Sequence, residues 1–383
     1  MQKSISVMKE WKNCKNILCI RPDNLGDLLM TYPAIKALKE TFHCRITVLC
    51  SSMSAGLVPF LPAIDEHILF DVPWVRSKSV SETKALFDIV EVLKSKKFDA
   101  AVIFTVYSQN PLPSAMIAWL AGIPKRLAYC RENPYDLLTD WVPDQEPYTF
   151  IQHQVKRDLS LVASVGAEIE DERLVLKNEN DQWPALQKKI MDAGIDLNKP
   201  WLIMHAGVSE PKRQYPNDLW IKAGKQIVED LDHQIILTGT ASEKNLVSCL
   251  QQGIGHGSFS LAGELALDEF ITLISHTALV ISVNTATVHI AAAVGTPVVV
   301  LYAMTNPQHT PWMAKGKLLL YDIPQEMRSR NEVIRYVSDQ LHLQDLPMLM
   351  PEEISDAVRA VLQGDSDTFP DLIPLRSACD QIF

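Results

Sequence analysis

Apolar residues arrive along this chain in short solid runs, each followed by a stretch with helical spacing. The run Asn16-Ile17-Leu18-Cys19-Ile20 has no polar face and predicts a strand buried on both sides. Arg21-Pro22-Asp23-Asn24-Leu25-Gly26-Asp27 breaks it, and apolar positions then recur at Leu28, Leu29, Tyr32, Ile35 and Leu38, the spacing of a helix packed on that strand. Further strands are expected at Arg45–Cys50, His67–Phe70 and Ala100–Phe104, with helices at Ser81–Ser95 and Pro113–Ala121. The pattern weakens around Gly166–Asp181, where acidic residues collect. A second series then begins, with strands at Trp201–His205, Gln234–Thr238, Leu279–Val283 and Val298–Tyr302. Its helices fall near Asn217–Leu231, Ser242–Gln252, Leu267–Ser275 and Thr287–Val294, and one more lies near Glu352–Leu362.

Two successive βα series predict an α/β protein with two doubly wound, Rossmann-like domains whose carboxyl edges face one another across a cleft. The expected boundaries are 1–178 for the first domain and 179–363 for the second. Residues 364–383 form a tail that either packs back on the first domain or hangs loose. The length of 383 residues agrees with two cores rather than one. The uncharged run Ala278–Met304 could span a membrane by length alone, but Asn284, His289 and Gly295-Thr296-Pro297 interrupt it, so it reads as strand, helix and strand.

Composition narrows the classes. Net charge is −10 and no long basic run occurs, which argues against nucleic acid as a partner. The seven cysteines form no C-x-x-C pair and no zinc-spaced cluster with histidine, so reduced thiols in the cytoplasm are expected. Lys9, Lys12 and Lys15 precede no apolar segment of the kind a signal peptide needs.

Candidate chemistry collects where strands hand over to helices. Gly26 permits a tight turn, and Asp27 stands at a helix start on the carboxyl edge, where it is either a cap or a catalytic base, with Asn24 beside it. In the second series, Asn284-Thr285-Ala286-Thr287-Val288-His289 leads from a strand into an alanine-rich helix. Such a helix start presents free N–H groups and partial positive charge to a diphosphate, and Thr285, Thr287 and His289 can add contacts. The bland alternative is a capped helix with a packed core histidine. Lys212 and Arg213 follow another strand on a loop with Gly207 and Ser209, and either can meet phosphate. Glu243 follows a third strand, where it suits ribose hydroxyls or a plain surface helix.

Taken in order, these pieces resemble glycosyltransferase family 9, the ADP-heptose:lipopolysaccharide heptosyltransferases and their relatives. The matching parts run from roughly Lys15 to Trp312: Asn24-Leu25-Gly26-Asp27 with Tyr32-Pro33-Ala34, His205-Ala206-Gly207 with Lys212-Arg213-Gln214-Tyr215-Pro216, Gly239 with Glu243, Leu261-Ala262-Gly263, Asn284-Thr285-Ala286 with His289, Thr296-Pro297-Val298, and Thr305-Asn306-Pro307. The resemblance implies the GT-B architecture, with acceptor on the first domain and sugar nucleotide on the second, and metal-free transfer with inversion. By position it makes Asp27 the base, Lys212 or Arg213 the diphosphate contact and Glu243 the nucleotide-ribose carboxylate. It implies transfer of heptose or a related sugar from a nucleotide-diphosphate sugar, ADP-heptose first among them, to lipopolysaccharide core or another cell-surface glycan, with no cofactor and a lipid-linked saccharide acceptor met by peripheral attachment to the inner face of the cytoplasmic membrane. The chain departs from the pattern at Asn284, where heptosyltransferases carry Asp before Thr-Gly. Asn can hydrogen-bond a sugar hydroxyl but holds no charge, so the departure bears on the donor sugar. Asp230-Leu231-Asp232 and Asp365-Ser366-Asp367 have metal-motif spacing, but the first precedes a strand and the second is in the tail. The rival readings are a non-hydrolysing sugar-nucleotide epimerase, which needs paired carboxylates around the donor sugar, and a non-catalytic nucleotide- or glycan-binding protein.

Overall fold

The computed structural model describes residues 10–75, 82–177 and 182–376. The chain divides into two compact units, Met1–Lys177 and Asn178–Phe383. The boundary expected between residues 178 and 179 lies outside the described residues, as do the expected helix start at Ser81 and residue Cys379.

The first unit is built on β1 (Asn16–Arg21), β2 (Arg45–Cys50), β3 (Glu66–Leu69), β4 (Ala100–Ile103), β5 (Lys125–Cys130) and β6 (Asp140–Pro143). They lie in the order β3-β2-β1-β4-β5-β6, and all pairings are parallel. β1 is central and buried from Ile17 to Arg21, which is why its sequence carries no polar face. β5 and β6 were not legible as strands. β5 opens on Lys125 and Arg126 and β6 ends on Pro143, so neither shows a solid apolar run. The helix Leu25–Phe42 follows β1 and buries most of its length, including Leu28, Leu29, Tyr32, Ile35 and Leu38.

The second unit is built on β7 (Trp201–His205), β8 (Gln234–Leu237), β9 (Ser258–Ser260), β10 (Val280–Val283), β11 (Val298–Ala303), β12 (Lys315–Tyr321) and β13 (Asp367–Thr368). The order is β13-β12-β11-β10-β7-β8-β9. β13 alone runs antiparallel to its neighbour, the others being parallel. The uncharged run is β10, the helix Ala286–Val294 and β11, as its interruptions predicted.

The tail differs from its expectation. Asp367 and Thr368 pair with β12, Phe369 N donates to Ala314 O, and Thr310 Oγ1 donates to Pro370 O at 2.8 Å. Through Arg376, whose N–H bonds Leu341 O, the tail therefore belongs to the second unit. The described cysteines are free thiols, buried except for Cys249. No helix among the described residues is long and apolar enough to cross a membrane.

Candidate active site

In an open parallel sheet, ligands bind outside the carboxyl ends of the strands where strand order reverses. In the first sheet that reversal falls between β1 and β4, and the Asn24–Asp27 turn follows β1. In the second it falls between β7 and β10, so the Lys212–Arg213 loop and the Asn284–Thr285 turn flank it.

Asp27 is the third residue of its helix, and its side chain is 13% exposed. Its Oδ2 accepts the Asn24 N–H at 3.3 Å, one half of a capping box. Its Oδ1 accepts from Arg21 Nη2 at 3.2 Å. Arg21 is fully buried and also lies 3.3 Å, through Nε, from Asp23 Oδ2. Burial works against the Arg21 charge, but the Asp23, Asp27 and Asp158 carboxylates more than offset it, and its pKa is raised. Gly26 does not form the tight turn expected of it: it is the buried second residue of the helix Leu25–Phe42 and has no positive φ, because the helix begins at Leu25.

Behind the turn lies Asp158, on the helix Gln154–Ala163. It accepts from Thr31 Oγ1 at 2.7 Å and Gln154 Nε2 at 2.9 Å. Thr31 Oγ1 is also 2.9 Å from the Asp27 carbonyl oxygen. Burial pushes the Asp158 carboxyl up to about 6, against the pull of Arg21, Thr31 and Arg157. Asp23 is raised for the same first reason, burial, opposed by Arg21 and by Gln109, whose Nε2 donates to it at 2.6 Å. Asp27 is thus both a cap and a carboxylate pinned by a buried guanidinium.

On the second unit, Arg213 Nη1 donates to the Asn284 carbonyl oxygen at 3.0 Å. This brings a cation from the β7 loop to the turn that opens the helix Ala286–Val294. Lys212 instead turns to Glu210, with Nζ 3.1 Å from Oε2. Thr285 is the N-cap of the helix in extended conformation and makes no side-chain cap bond. Ala286 opens the helix, while Thr287 and His289 are buried within it. Glu243 Oε2 accepts the Thr240 N–H at 2.6 Å. A Cβ at position 207 would lie 2.2 Å from Glu243 Oε1, so the close approach of that carboxylate to the β7 loop requires Gly207. His205 closes β7 with Nδ1 3.0 Å from Thr238 Oγ1. Burial lowers its pKa, against the opposing pull of Glu243.

The Asn284 side chain is spent inside the fold. Its Oδ1 accepts the Ala303 N–H at 3.2 Å, which fixes the amide's orientation. Its Nδ2 donates to Thr305 Oγ1 at 3.0 Å and reaches Ala303 O at 3.3 Å. The amide thus ties the Asn284–Thr285 turn to the loop that follows β11.

The structure brings Arg213 to Asn284 and sets Glu243 against Gly207. Sequence inspection missed Arg21, Asp23, Asp158 and Glu210. A charged Arg-x-Asp at the end of a solid apolar strand is a signal that could have found the first two. Of the Asp-x-Asp pairs, Asp365 and Asp367 both pair with Lys317 Nζ, at 3.2 and 3.1 Å, and Asp230 and Asp232 precede β8 at its amino edge. Among the described residues, no three His, Cys, Asp or Glu side chains are grouped to hold a metal ion.

A family model described as glycosyltransferase family 9 (heptosyltransferase) matches residues 86–335, well over half the chain. The chain is 24% identical over 314 residues to lipopolysaccharide heptosyltransferase 2 of Escherichia coli (strain K12), covering 77% of this chain and 84% of that protein. The solved structure of the glycosyl transferase family 9 protein of Veillonella parvula matches with TM-score 0.71 at 15% identity, over 91% of this chain and 97% of that one. That of E. coli ADP-heptose lipopolysaccharide heptosyltransferase II matches with TM-score 0.68 at 20% identity, over 91% and 99%. These structural matches carry the fold, and the two Rossmann-like units are those of the GT-B architecture.

Proposed function

The chain belongs to glycosyltransferase family 9, and from that premise we propose that it moves heptose from ADP-heptose to a lipopolysaccharide-core acceptor, with inversion and without a metal ion. A relative and a structural neighbour are a lipopolysaccharide heptosyltransferase and an ADP-heptose heptosyltransferase, which supports the choice of donor and acceptor. The observation that carries the reading is the bond from Arg213 Nη1 to Asn284 O at a sheet's switch point. It holds a guanidinium at the head of a helix whose N-cap side chain makes no cap bond.

In this mechanism the donor's diphosphate lies on Thr285, Ala286 and Thr287, with His289 behind them and Arg213 as the leading cation. Glu243 accepts from the ribose hydroxyls. Asp27 takes the proton of the acceptor hydroxyl as its oxygen bonds the anomeric carbon. The bond from that carbon to the diphosphate oxygen breaks, and ADP leaves with the electron pair. Arg213, Lys212 and the helix dipole stabilise the charge that gathers on the leaving group. Arg21 holds the Asp27 carboxylate in place through its Nη2 contact. The enzyme works in the cytoplasm and meets a lipid-linked acceptor by peripheral attachment to the inner membrane face.

The test incubates the enzyme with ADP-heptose and deacylated core oligosaccharide in excess EDTA. Mass spectrometry detects one added heptose, and NMR reads its anomeric configuration. Retained configuration overturns inversion, and loss of transfer restored by magnesium overturns metal independence. Turnover of the donor without acceptor would favour an epimerase.

A further inference from the structure

The two cations of the β7 loop already have a shared anion in the free chain. Glu210 Oε2 is 3.1 Å from Lys212 Nζ and 3.5 Å from Arg213 Nη2. The geometry is local: Glu210 is the N-cap of the single turn Pro211–Arg213, and its carbonyl oxygen accepts the Arg213 N–H at 3.0 Å. The Glu210 side chain is 34% exposed, against 25% for Lys212 and 21% for Arg213. The carboxylate therefore belongs to the most exposed side chain of the trio. The pairing with Arg213 is loose, and the buried Arg213 Nε has no hydrogen-bond partner. A guanidinium in that condition has donor capacity left for a better anion.

We propose that Glu210 is a specificity-determining residue whose carboxylate holds, in the free chain, the cationic position that a ligand's second phosphate takes. This rests on the reading of Lys212 and Arg213 as diphosphate contacts. A phosphate group that reaches both cations must turn Glu210 away or lie against its negative charge, and either costs affinity. A nucleotide that stops at the Thr285 turn does not meet that cost. Glu210 thus weakens diphosphates selectively, and its return to Lys212 and Arg213 favours release of the nucleoside diphosphate product.

The test is calorimetric binding of ADP and AMP to the full chain carrying Glu210→Gln, at low and at physiological salt. Gln keeps the length of the side chain and removes its charge. The dissociation constant for ADP should fall about three- to tenfold, as expected for relief of two partly exposed charge contacts. That for AMP should change less than twofold, and added salt should shrink the ADP effect. In a background of Lys212→Ala with Arg213→Ala, Glu210→Gln should give no gain. Equal gains for ADP and AMP, or a gain that persists in that background, would overturn the proposal by making the effect structural or generally electrostatic. Unchanged ADP binding in Glu210→Gln, with wild type binding ADP, would overturn this inference alone. Failure of wild type and all variants to bind ADP would overturn the nucleotide site as well.

Discussion

Asp27→Asn separates the two roles that one side chain holds. As a cap, Asp27 accepts the Asn24 N–H at 3.3 Å; as a pinned carboxylate, it accepts from Arg21 Nη2 at 3.2 Å. An Asn side chain can accept one of these bonds with its oxygen but presents NH₂ to the other donor. A bond to a charged acceptor is about twice as strong as its neutral counterpart, so the lost charge and cap together cost about 1–2 kcal/mol. Asp23 remains beside Arg21 and keeps the guanidinium from standing alone. For a unit of this size that loss lowers Tm by about 2–8 °C. Removing a general base costs about 10²–10⁴ in rate, roughly 3–5.5 kcal/mol of barrier. The chemical effect is the larger, and an assay well below Tm isolates it. Steady-state kcat at saturating donor and acceptor should therefore fall at least a hundredfold. Donor Kd should change less than twofold, because the residues proposed to hold the donor belong to the second unit. Turnover within threefold of wild type, with the small Tm loss present, would refute the base and leave the cap.

Arg213→Ala should weaken ADP binding about tenfold or more and Lys212→Ala less, because Arg213 alone of the two reaches the Asn284 turn; equal losses in calorimetric Kd would contradict that order. Asn284→Asp should cost about 1–3 kcal/mol in chemical denaturation, since a carboxylate cannot donate to Ala303 O. Unchanged stability with a reordered preference among ADP-, GDP- and UDP-sugars would instead make Asn284 a sugar contact. The Asp158 carboxyl, raised to about 6 by burial, binds its proton more tightly folded than unfolded. Its contribution to stability is full below about pH 4 and lost as pH rises through about 6, a change on the order of 3 kcal/mol. Asp158→Asn should flatten that part of the stability–pH curve, and an unaltered slope between pH 4 and 7 would contradict the assignment.

Much of this protein was set by local pattern. Solid apolar runs exist only where strands are buried on both faces, so β1, β7, β10 and β11 were legible, with their helices, and so was the division into two βα series. Residues tied to a helix start, such as Asp27 and Thr285, were legible because the open N–H groups there favour a few residue types. β5, β6 and β12 were not: each carries charges or a proline in its short run, and its strand character comes from the neighbours it pairs with. Tertiary structure alone decided the partners. Arg21 reaches Asp27 because β1 ends beside the turn it feeds, and Asp158 arrives from a distant helix. The sequence left Lys212 and Arg213 equivalent. Packing set Glu210 beside both and brought Arg213 to Asn284, and it turned the Asn284 amide inward to Ala303 and Thr305. The physical reason is range. Propensity and periodicity act over a few residues and specify elements, whereas ion pairs and buried amides need groups from separate loops at about 3 Å, which only the folded sheet brings to one edge.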